Sequence, residues 1–158
     1  MPDVDGPRAL QSGYIGITGA TALASGPREG GMGYPSCMGY SQAELDLIAR
    51  TEEVEIETSG AGGAVHRTVI WAVVDGDAVF VRSWKGANAR WYREALAEQG
   101  VALHVDGRRL PARAVPATDP SSVERTSAGI LRKYAGDPAA MSMVRPEVLD
   151  LTFRLERQ

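Results

Sequence analysis

The 158-residue sequence has few of the residues that make covalent or metal cross-links. It contains one cysteine, Cys37, and two histidines, His66 and His104. A single cysteine excludes an internal disulfide, and these three residues fall short of the four Cys or His ligands of a structural zinc site. We therefore expect no bound metal and a fold held by its hydrophobic core, which a chain of this length is large enough to form.

Long apolar runs and an excess of positive charge are lacking too. No segment approaches the roughly 18 consecutive apolar residues that cross a bilayer, and the N-terminus lacks the basic start and apolar stretch of a secretory signal. The 17 basic residues are outnumbered by 20 acidic ones, so the net charge of −3 disfavours general nucleic-acid binding. We expect a cytoplasmic protein that binds neither membrane nor nucleic acid.

The motifs of nucleophilic catalysis are absent as well. The sequence has no Gly-x-Ser-x-Gly, no paired-histidine helix and no phosphate loop ending in Gly-Lys-Ser. Cys37 has no base nearby in the sequence, and we interpret His66 and His104 as pocket-lining or structural rings rather than general bases. The sequence therefore predicts no particular catalytic side chain.

Glycine and proline are concentrated in the first forty residues, which disfavours regular elements there. Apolar residues such as Tyr14, Met32 and Tyr34 are interspersed among them. We interpret residues 1–40 as an irregular arm that packs on the domain or on a partner subunit; the alternative is a disordered segment. Residues 41–158 are predicted to form a single domain.

In that domain, Ser41 and Glu44 form a capping box that begins a short helix ending near Arg50. Alternating or β-branched runs predict six strands, and Gly86–Gln99 and Pro120–Tyr134 are predicted helices. The strands are expected at 54–58, 65–74, 78–83, 101–105, 108–116 and 148–155. This order predicts an α+β fold with a small antiparallel barrel and two or three short helices.

A cationic cluster surrounds the hairpin signal Asp75-Gly76. Counting outward from that turn places Arg67 and Thr68 close to Lys85. The further polar members of the cluster are Arg82, Ser83, Arg90 and Arg93. Such a group forms either a phosphate cradle or a solvated rim paired with Glu94, Glu98 or Asp77, and the spacing alone does not decide between them.

The segments 67–76, 81–86 and 90–93 resemble the flavin- and deazaflavin-dependent split-β-barrel oxidoreductases, a superfamily that includes pyridoxamine-phosphate oxidase-like proteins and deazaflavin-dependent nitroreductases. The resemblance covers about residues 53–156. It implies a homodimer of six-stranded split barrels that holds FMN or the deazaflavin coenzyme between its subunits. By position, it implies cofactor contacts from Arg67, Thr68, Ile70, Trp71, Arg82, Ser83, Lys85, Arg90 and Arg93.

The resemblance assigns a part of the cofactor to each group of residues. Thr68 and its neighbour Arg67 would hold the phosphate together with Ser83 and Lys85. Ile70 and Trp71 would contact the ring, and Arg90 and Arg93 the tail.

The expected function is that of an oxidoreductase which transfers hydride to or from a small organic substrate. The alternative is a cofactor-free barrel that binds an apolar metabolite, as a sensor or as a cyclase-like catalyst, with aromatic and Met side chains of the arm lining its pocket. A purely structural dimerisation module is a further alternative.

Overall fold

The computed structural model describes residues 39–158. The predicted arm therefore lies outside the described residues, except for its last two positions, and so does Cys37. None of the helices described is long and apolar enough to cross a membrane. Between Gly39 and Gln158, no three His, Asp or Glu side chains are grouped so that they could hold a metal ion.

The described chain is α+β, with seven strands and four helices. The helices are α1 (Gln42–Arg50), α2 (Arg90–Ala97), α3 (Pro120–Lys133) and α4 (Ala139–Ser142), with 3₁₀ turns at Ala61–Gly63 and Pro146–Val148. The strands are β1 (Val54–Ser59), β2 (Val65–Ile70), β3 (Ala72–Asp75), β4 (Ala78–Arg82), β5 (Gly100–Val105), β6 (Arg108–Pro116) and β7 (Thr152–Arg157). They form one curled sheet in the order β2-β1-β5-β6-β7-β4-β3, and all neighbouring strands are antiparallel.

Local capping signals fix the starts of two helices. The Ser41 hydroxyl accepts the backbone N–H of Glu44 at 3.1 Å, and the Glu44 carboxylate accepts the N–H of Ser41 at 2.9 Å. Asp119 caps α3 by accepting the N–H of Ser122 at 3.0 Å, and Pro120 occupies the first turn. The predicted helices at both places are confirmed.

The expectation of six strands is wrong by one, because the run 65–74 is two strands rather than one. Ile70 pairs with Val54 of β1, whereas Ala72 pairs with Val81 of β4. The chain thus passes from one edge of the sheet to the other through the single residue Trp71. The run is apolar and β-branched throughout, so its composition does not reveal this change of partner.

The starts of two elements and the content of one loop also differ from expectation. The second helix begins at Arg90 rather than Gly86, because residues 86–89 form a loop in which Gly86 has a φ of +96°. The last strand begins at Thr152 rather than Val148, which ends a 3₁₀ turn. The loop after α3 contains the additional short helix α4.

Two layers of buried side chains hold the sheet. The larger core lies on one side of the sheet and includes residues of α1 and α2, such as Ile48 and Trp91. The smaller core lies under α3 and α4, where Phe80 of β4 is buried in one cluster with Ile130 and Met143. The helices α3 and α4 thus cover the other side of the sheet near β3, β4 and β7. No described helix covers the side chains of β1, β2, β5 and β6 on that side, which we call the outer face.

Candidate functional site

The predicted site residues lie on two segments that diverge from one point of the sheet. The expected proximity of Arg67 to Ser83 by continued hairpin pairing does not occur, because Arg67 pairs with Glu57 of β1. The β3–β4 pairing reaches only as far as Ala72 and Val81. Beyond the β3–β4 pairing the two segments separate: β2 pairs with β1, whereas residues 83–89 lead from β4 to α2. We call the region between β2 and residues 83–89 the seam.

Four cationic side chains border this seam. Arg67 lies on β2, Lys85 on the segment 83–89, and Arg90 and Arg93 on α2; all four are exposed. Arg67 lies 3.3 Å from Glu55 in an exposed pair, which contributes little to stability. Within residues 39–158 the other three make no hydrogen bond or ion pair, although the Lys85 ammonium lies 5.9 Å from the Trp84 ring centroid. These cations are available to an anionic ligand.

Arg82 is engaged inside the protein rather than facing the seam. Its side chain is 1% exposed and donates to the Thr152 hydroxyl at 2.8 Å, the Ser127 hydroxyl at 2.9 Å and the carbonyls of Met143 and Val123 at 2.9 and 3.0 Å. None of these acceptors is charged, and burial lowers the pKa of Arg82 to about 10. The guanidinium thus ties β4 to β7, α3 and the loop after α4.

The Ser83 side chain is likewise hydrogen-bonded inside the protein. Its hydroxyl is buried and donates to the Gly86 carbonyl at 2.8 Å, which closes the turn at the start of the segment 83–89. Ser83 and Arg82 therefore shape the segment that carries Lys85. The sequence cluster does not distinguish such internal bonds from contacts with a ligand, because both use the same residue types.

Ile70 and Trp71 lie at the closed end of the seam. Ile70 is buried, and the Trp71 ring stacks on Tyr134 of α3 with centroids 3.8 Å apart. The Tyr134 hydroxyl donates to the Glu52 carbonyl at 2.6 Å. Burial raises the pKa of Tyr134. The Trp71 side chain is thus occupied by its contact with α3.

A pair that the sequence analysis missed joins β2 to α2. His66 Nδ1 lies 2.9 Å from Glu94 Oε2, and the Thr58 hydroxyl donates to Glu94 Oε1 at 2.7 Å. Burial raises the pKa of Glu94, but hydrogen bonds from Thr58 and His66 and the charge of Arg90 outweigh it, so the pKa is lowered. Glu94 lies 28 residues from His66, and neither motif nor periodicity connects the two.

The second histidine lies on the outer face. His104 Nε2 lies 2.6 Å from Glu57 Oε1, and Arg109 binds the same carboxylate through two hydrogen bonds of 2.9 and 3.1 Å. The bonds from Arg109 and His104 lower the pKa of Glu57 to about 2. Next to this cluster is an open groove of about 450 Å³. It is lined by Glu53, Val54, Glu55, Arg67, Val69, His104, Asp106 and Gly107.

Three solved structures show the same fold at low sequence identity. The heme storage protein HutZ from Vibrio cholerae is 15% identical, with a TM-score of 0.57 over 74% of this chain and 89% of that chain. An F420 reductase is 17% identical, with a TM-score of 0.51 over 75% and 94% of the two chains. The protein Atu2129 of unknown function from Agrobacterium tumefaciens is 14% identical, with a TM-score of 0.55, and the match covers 72% of this chain but only 50% of that one.

These similarities establish the fold alone, a curled antiparallel sheet with few helices. No protein of curated function matches the sequence. The model of a bacterial family, described as "uncharacterized protein conserved in bacteria (DUF2255)", matches residues 44–155, which is most of the chain. The chain therefore belongs to this family.

Proposed function

We propose that the protein is an oxidoreductase that binds a phosphorylated deazaflavin or FMN at the seam and transfers hydride to or from a small organic substrate in the cytoplasm. The observation that carries the proposal is the position of Arg67, Lys85 and Arg90. These three exposed cations lie on β2, on the segment 83–89 and on α2, which follows that segment and packs on β2. The fold shared with an F420 reductase supports the same reading.

The residues at the seam fit such a cofactor. A phosphate requires charge-assisted hydrogen bonds, which Arg67 and Lys85 can donate. A tricyclic ring requires apolar surface, and Val69 and Trp84 are 56% and 51% exposed on the two sides of the seam. The divergence of β2 and the segment 83–89 from the same point of the sheet supports placing both requirements at the seam.

When bound, the ring of the cofactor supplies the hydride chemistry. The chain itself would bind and orient. Lys85 and the Thr68 hydroxyl would hold the phosphate, and Arg67, whose side chain lies on the opposite face of β2, would reach it around the edge of that strand. The backbone at Ile70 and Trp71 would contact the ring. Arg90 and Arg93 would contact the tail. In this proposal Arg82 and Ser83 act indirectly, since their internal hydrogen bonds fix the course of the segment that carries Lys85.

We place a second copy of the chain on the outer face, as the resemblance to the split-barrel oxidoreductases implies. This face exposes Val65 by 61% and Val69 by 56%, beside side chains of both charges such as Glu55 and Arg67. A homodimer would cover Val65 and Glu55 and bring its partner next to the seam, where Arg67 and Val69 would remain for the cofactor. Sedimentation equilibrium tests the assembly, and a monomer at about 100 μM would overturn it.

The test begins with ligand titration. F420, FMN and hemin are added separately to the full chain, and absorbance or fluorescence gives each dissociation constant. Binding of F420 or FMN is expected, with Lys85→Ala weakening it at least tenfold. Arg113→Ala is the matched control, since Arg113 is an exposed cation on β6, 4.0 Å from Glu156. It should change the affinity less than twofold.

Turnover is tested with the reduced cofactor and menadione, 2-cyclohexen-1-one or 4-nitrobenzoate as acceptor. A failure of F420 and FMN to bind near 1 mM, where binding is worth only about −4 kcal/mol, would overturn the proposal. So would binding of hemin alone, or no turnover with any acceptor. In the cofactor-free alternative, residues such as Tyr14, Met32 and Tyr34 line the pocket. These residues lie outside the described part of the chain.

A further inference from the structure

Resting on the proposed function, we infer that Arg145 is a positioning residue that places Lys85 for the cofactor phosphate. Arg145 lies between α4 and β7, and its Nη2 group donates to the Trp84 carbonyl at 2.9 Å. That carbonyl belongs to the peptide bond that joins Trp84 to Lys85. The Nη1 group donates to the carbonyl of Ser142, the last residue of α4, at 2.8 Å. One guanidinium thus ties the end of α4 to the segment 83–89.

This segment has few other bonds to the rest of the protein. At its start, the Ser83 N–H donates to the Leu151 carbonyl at 3.1 Å. Among the described residues, only Arg145 lies outside the segment and hydrogen-bonds any of positions 84–88. The remaining hydrogen bonds at these positions join residues of the segment itself. The course of the chain at Lys85 therefore depends on Arg145.

The guanidinium is suited to this bridge because it is planar and its N–H groups project in fixed directions. Two carbonyls on different segments are therefore held at a set separation. The Arg145 side chain is 39% exposed, and the Glu147 carboxylate, 3.6 Å from its Nε, is 74% exposed. Such an exposed pair contributes little to stability, so we expect Arg145 to fix a local segment rather than to hold the fold.

Placing Lys85 in advance favours phosphate binding. A segment that is free before binding loses conformational entropy when the ligand orders it, and this loss reduces the affinity. Because Arg145 fixes the backbone on one side of Lys85 in the free protein, part of that loss does not occur on binding. Lys85 is proposed to contact the phosphate and not the ring, so Arg145 should change how tightly the cofactor binds rather than how fast hydride is transferred.

The positive charge of Arg145 is a different way to favour an anion, and the two effects are separable. Attraction by charge acts on the phosphate directly, so its contribution persists when Lys85 is replaced. Placement acts only through Lys85, so its contribution disappears with that side chain. A double-mutant cycle measures this difference.

The inference is tested with Arg145→Ala, Lys85→Ala and the double variant in the full chain, by titration with F420 and FMN. Arg145→Ala is expected to weaken binding about fivefold in the otherwise unchanged protein, and less than twofold when Lys85 is already replaced. In turnover with the best acceptor, the loss should appear in the KM for the cofactor and not in kcat. Arg125→Ala is the matched control, because Arg125 is 41% exposed and also donates to a backbone carbonyl, that of Asp75 at the β3–β4 turn, at 3.0 Å. It should change the affinity less than twofold.

A second measurement needs no cofactor. Trypsin cleaves after Lys85 when the local segment opens, so the rate of this cleavage reports how firmly the segment is held. Pro146 follows Arg145 and blocks cleavage there, so Arg145→Ala removes no trypsin site. Mass spectrometry should show cleavage after Lys85 at least fivefold faster in Arg145→Ala, and within twofold of the unchanged protein in Arg125→Ala. The melting temperature of Arg145→Ala should shift by less than about 2 °C.

Arg145→Lys is a second variant, which retains the charge. A lysine ammonium is a point donor on a flexible chain and lacks the fixed fork of the guanidinium. This variant should therefore weaken cofactor binding about threefold and speed cleavage after Lys85 about threefold. Affinity and cleavage equal to those of the unchanged protein would overturn the positioning role, even where Arg145→Ala fails to fold.

The outcomes separate the role of Arg145 from the proposed function. If neither F420 nor FMN binds the unchanged protein, both are overturned. If a cofactor binds but Arg145→Ala binds it as tightly, or weakens it equally with and without Lys85, only the role of Arg145 is overturned. Unchanged cleavage after Lys85 in Arg145→Ala overturns that role as well, because the segment is then held without it.

Discussion

Trp71 and Tyr134 stack face to face, with ring planes only 5° from parallel. Trp71 is the single residue between the two edge strands β2 and β3, and Tyr134 caps the C-terminal end of α3. The stack thus anchors the point at which the chain crosses from one edge of the sheet to the other. Lys133 supports the same point by donating to the carbonyls of Ile48 at 3.0 Å and Ala72 at 2.7 Å.

Trp71→Ala is therefore expected to lower the free energy of unfolding by about 3 kcal/mol, because it removes a large aromatic contact. Tyr134→Phe keeps the stack and loses only the bond to the Glu52 carbonyl, so about 1 kcal/mol is expected. Urea unfolding followed by tryptophan fluorescence and circular dichroism measures both. Equal losses in the two variants would show that the hydroxyl, rather than the stack, is the anchor.

Replacement of Arg82 should be one of the most destabilising single changes in the sheet. Arg82→Leu would leave the Thr152 and Ser127 hydroxyls and two buried carbonyls without their donor, at a cost of about 2–4 kcal/mol. Thermal unfolding by circular dichroism measures the loss. Arg113→Leu, an exposed arginine on β6, is the control and should change stability by less than about 0.5 kcal/mol.

Gly60→Ala should disturb the His66–Glu94 pair without requiring unusual backbone angles. The new Cβ would lie 2.7 Å from Glu94 Oε2, and the carboxylate can move only by giving up bonds to Thr58 or His66. A loss of about 1–2 kcal/mol is expected. Gly100→Ala has nothing within 4 Å of the new Cβ and serves as control. Chemical denaturation compares the two, and a loss in both would assign the effect to the backbone.

The pH dependence of stability should reveal the Glu57 cluster. Folding lowers the pKa of Glu57 from its ordinary value of 4.5 to about 2. The ionised carboxylate therefore contributes its full stability above about pH 4.5, and this contribution is lost as the pH falls toward 2. Glu57→Gln should unfold at a lower urea concentration at pH 6, and the difference should shrink by pH 2.5. A difference that is constant with pH would exclude this origin.

Much of the fold could be predicted because its signals are local. The capping box at Ser41, the Asp119-Pro120 helix start and the Asp75-Gly76 turn each depend on residues within four positions of one another. The break at Trp71 could not be predicted, because it depends on which distant strand each half of an apolar run pairs with. Only the register with β1 and β4 settles that.

The sequence predicted which residues surround the candidate site, but not which of them are bonded inside the protein and which are exposed. The sequence cluster contained the cations that border the seam, yet it grouped the exposed Lys85 with the buried Arg82. Exposure at neighbouring positions depends on tertiary packing, here on whether α3 and β7 supply acceptors for a guanidinium. Likewise, the sequence suggested Glu94 only as a partner for surface cations. Its bond to His66 forms because α2 packs on β2, which the sequence does not show.

The two edge strands, β2 and β3, are consecutive in the chain, and this limits how further strands can add to the sheet. Free strand edges invite pairing with other chains, and proteins restrict them to avoid aggregation. Here both edges converge on Trp71, so an incoming strand that extended one edge past this residue would collide with the other. The edge offered by β3 is only four residues long. Among the described strands, β2 therefore offers the longer edge for fibril-like addition.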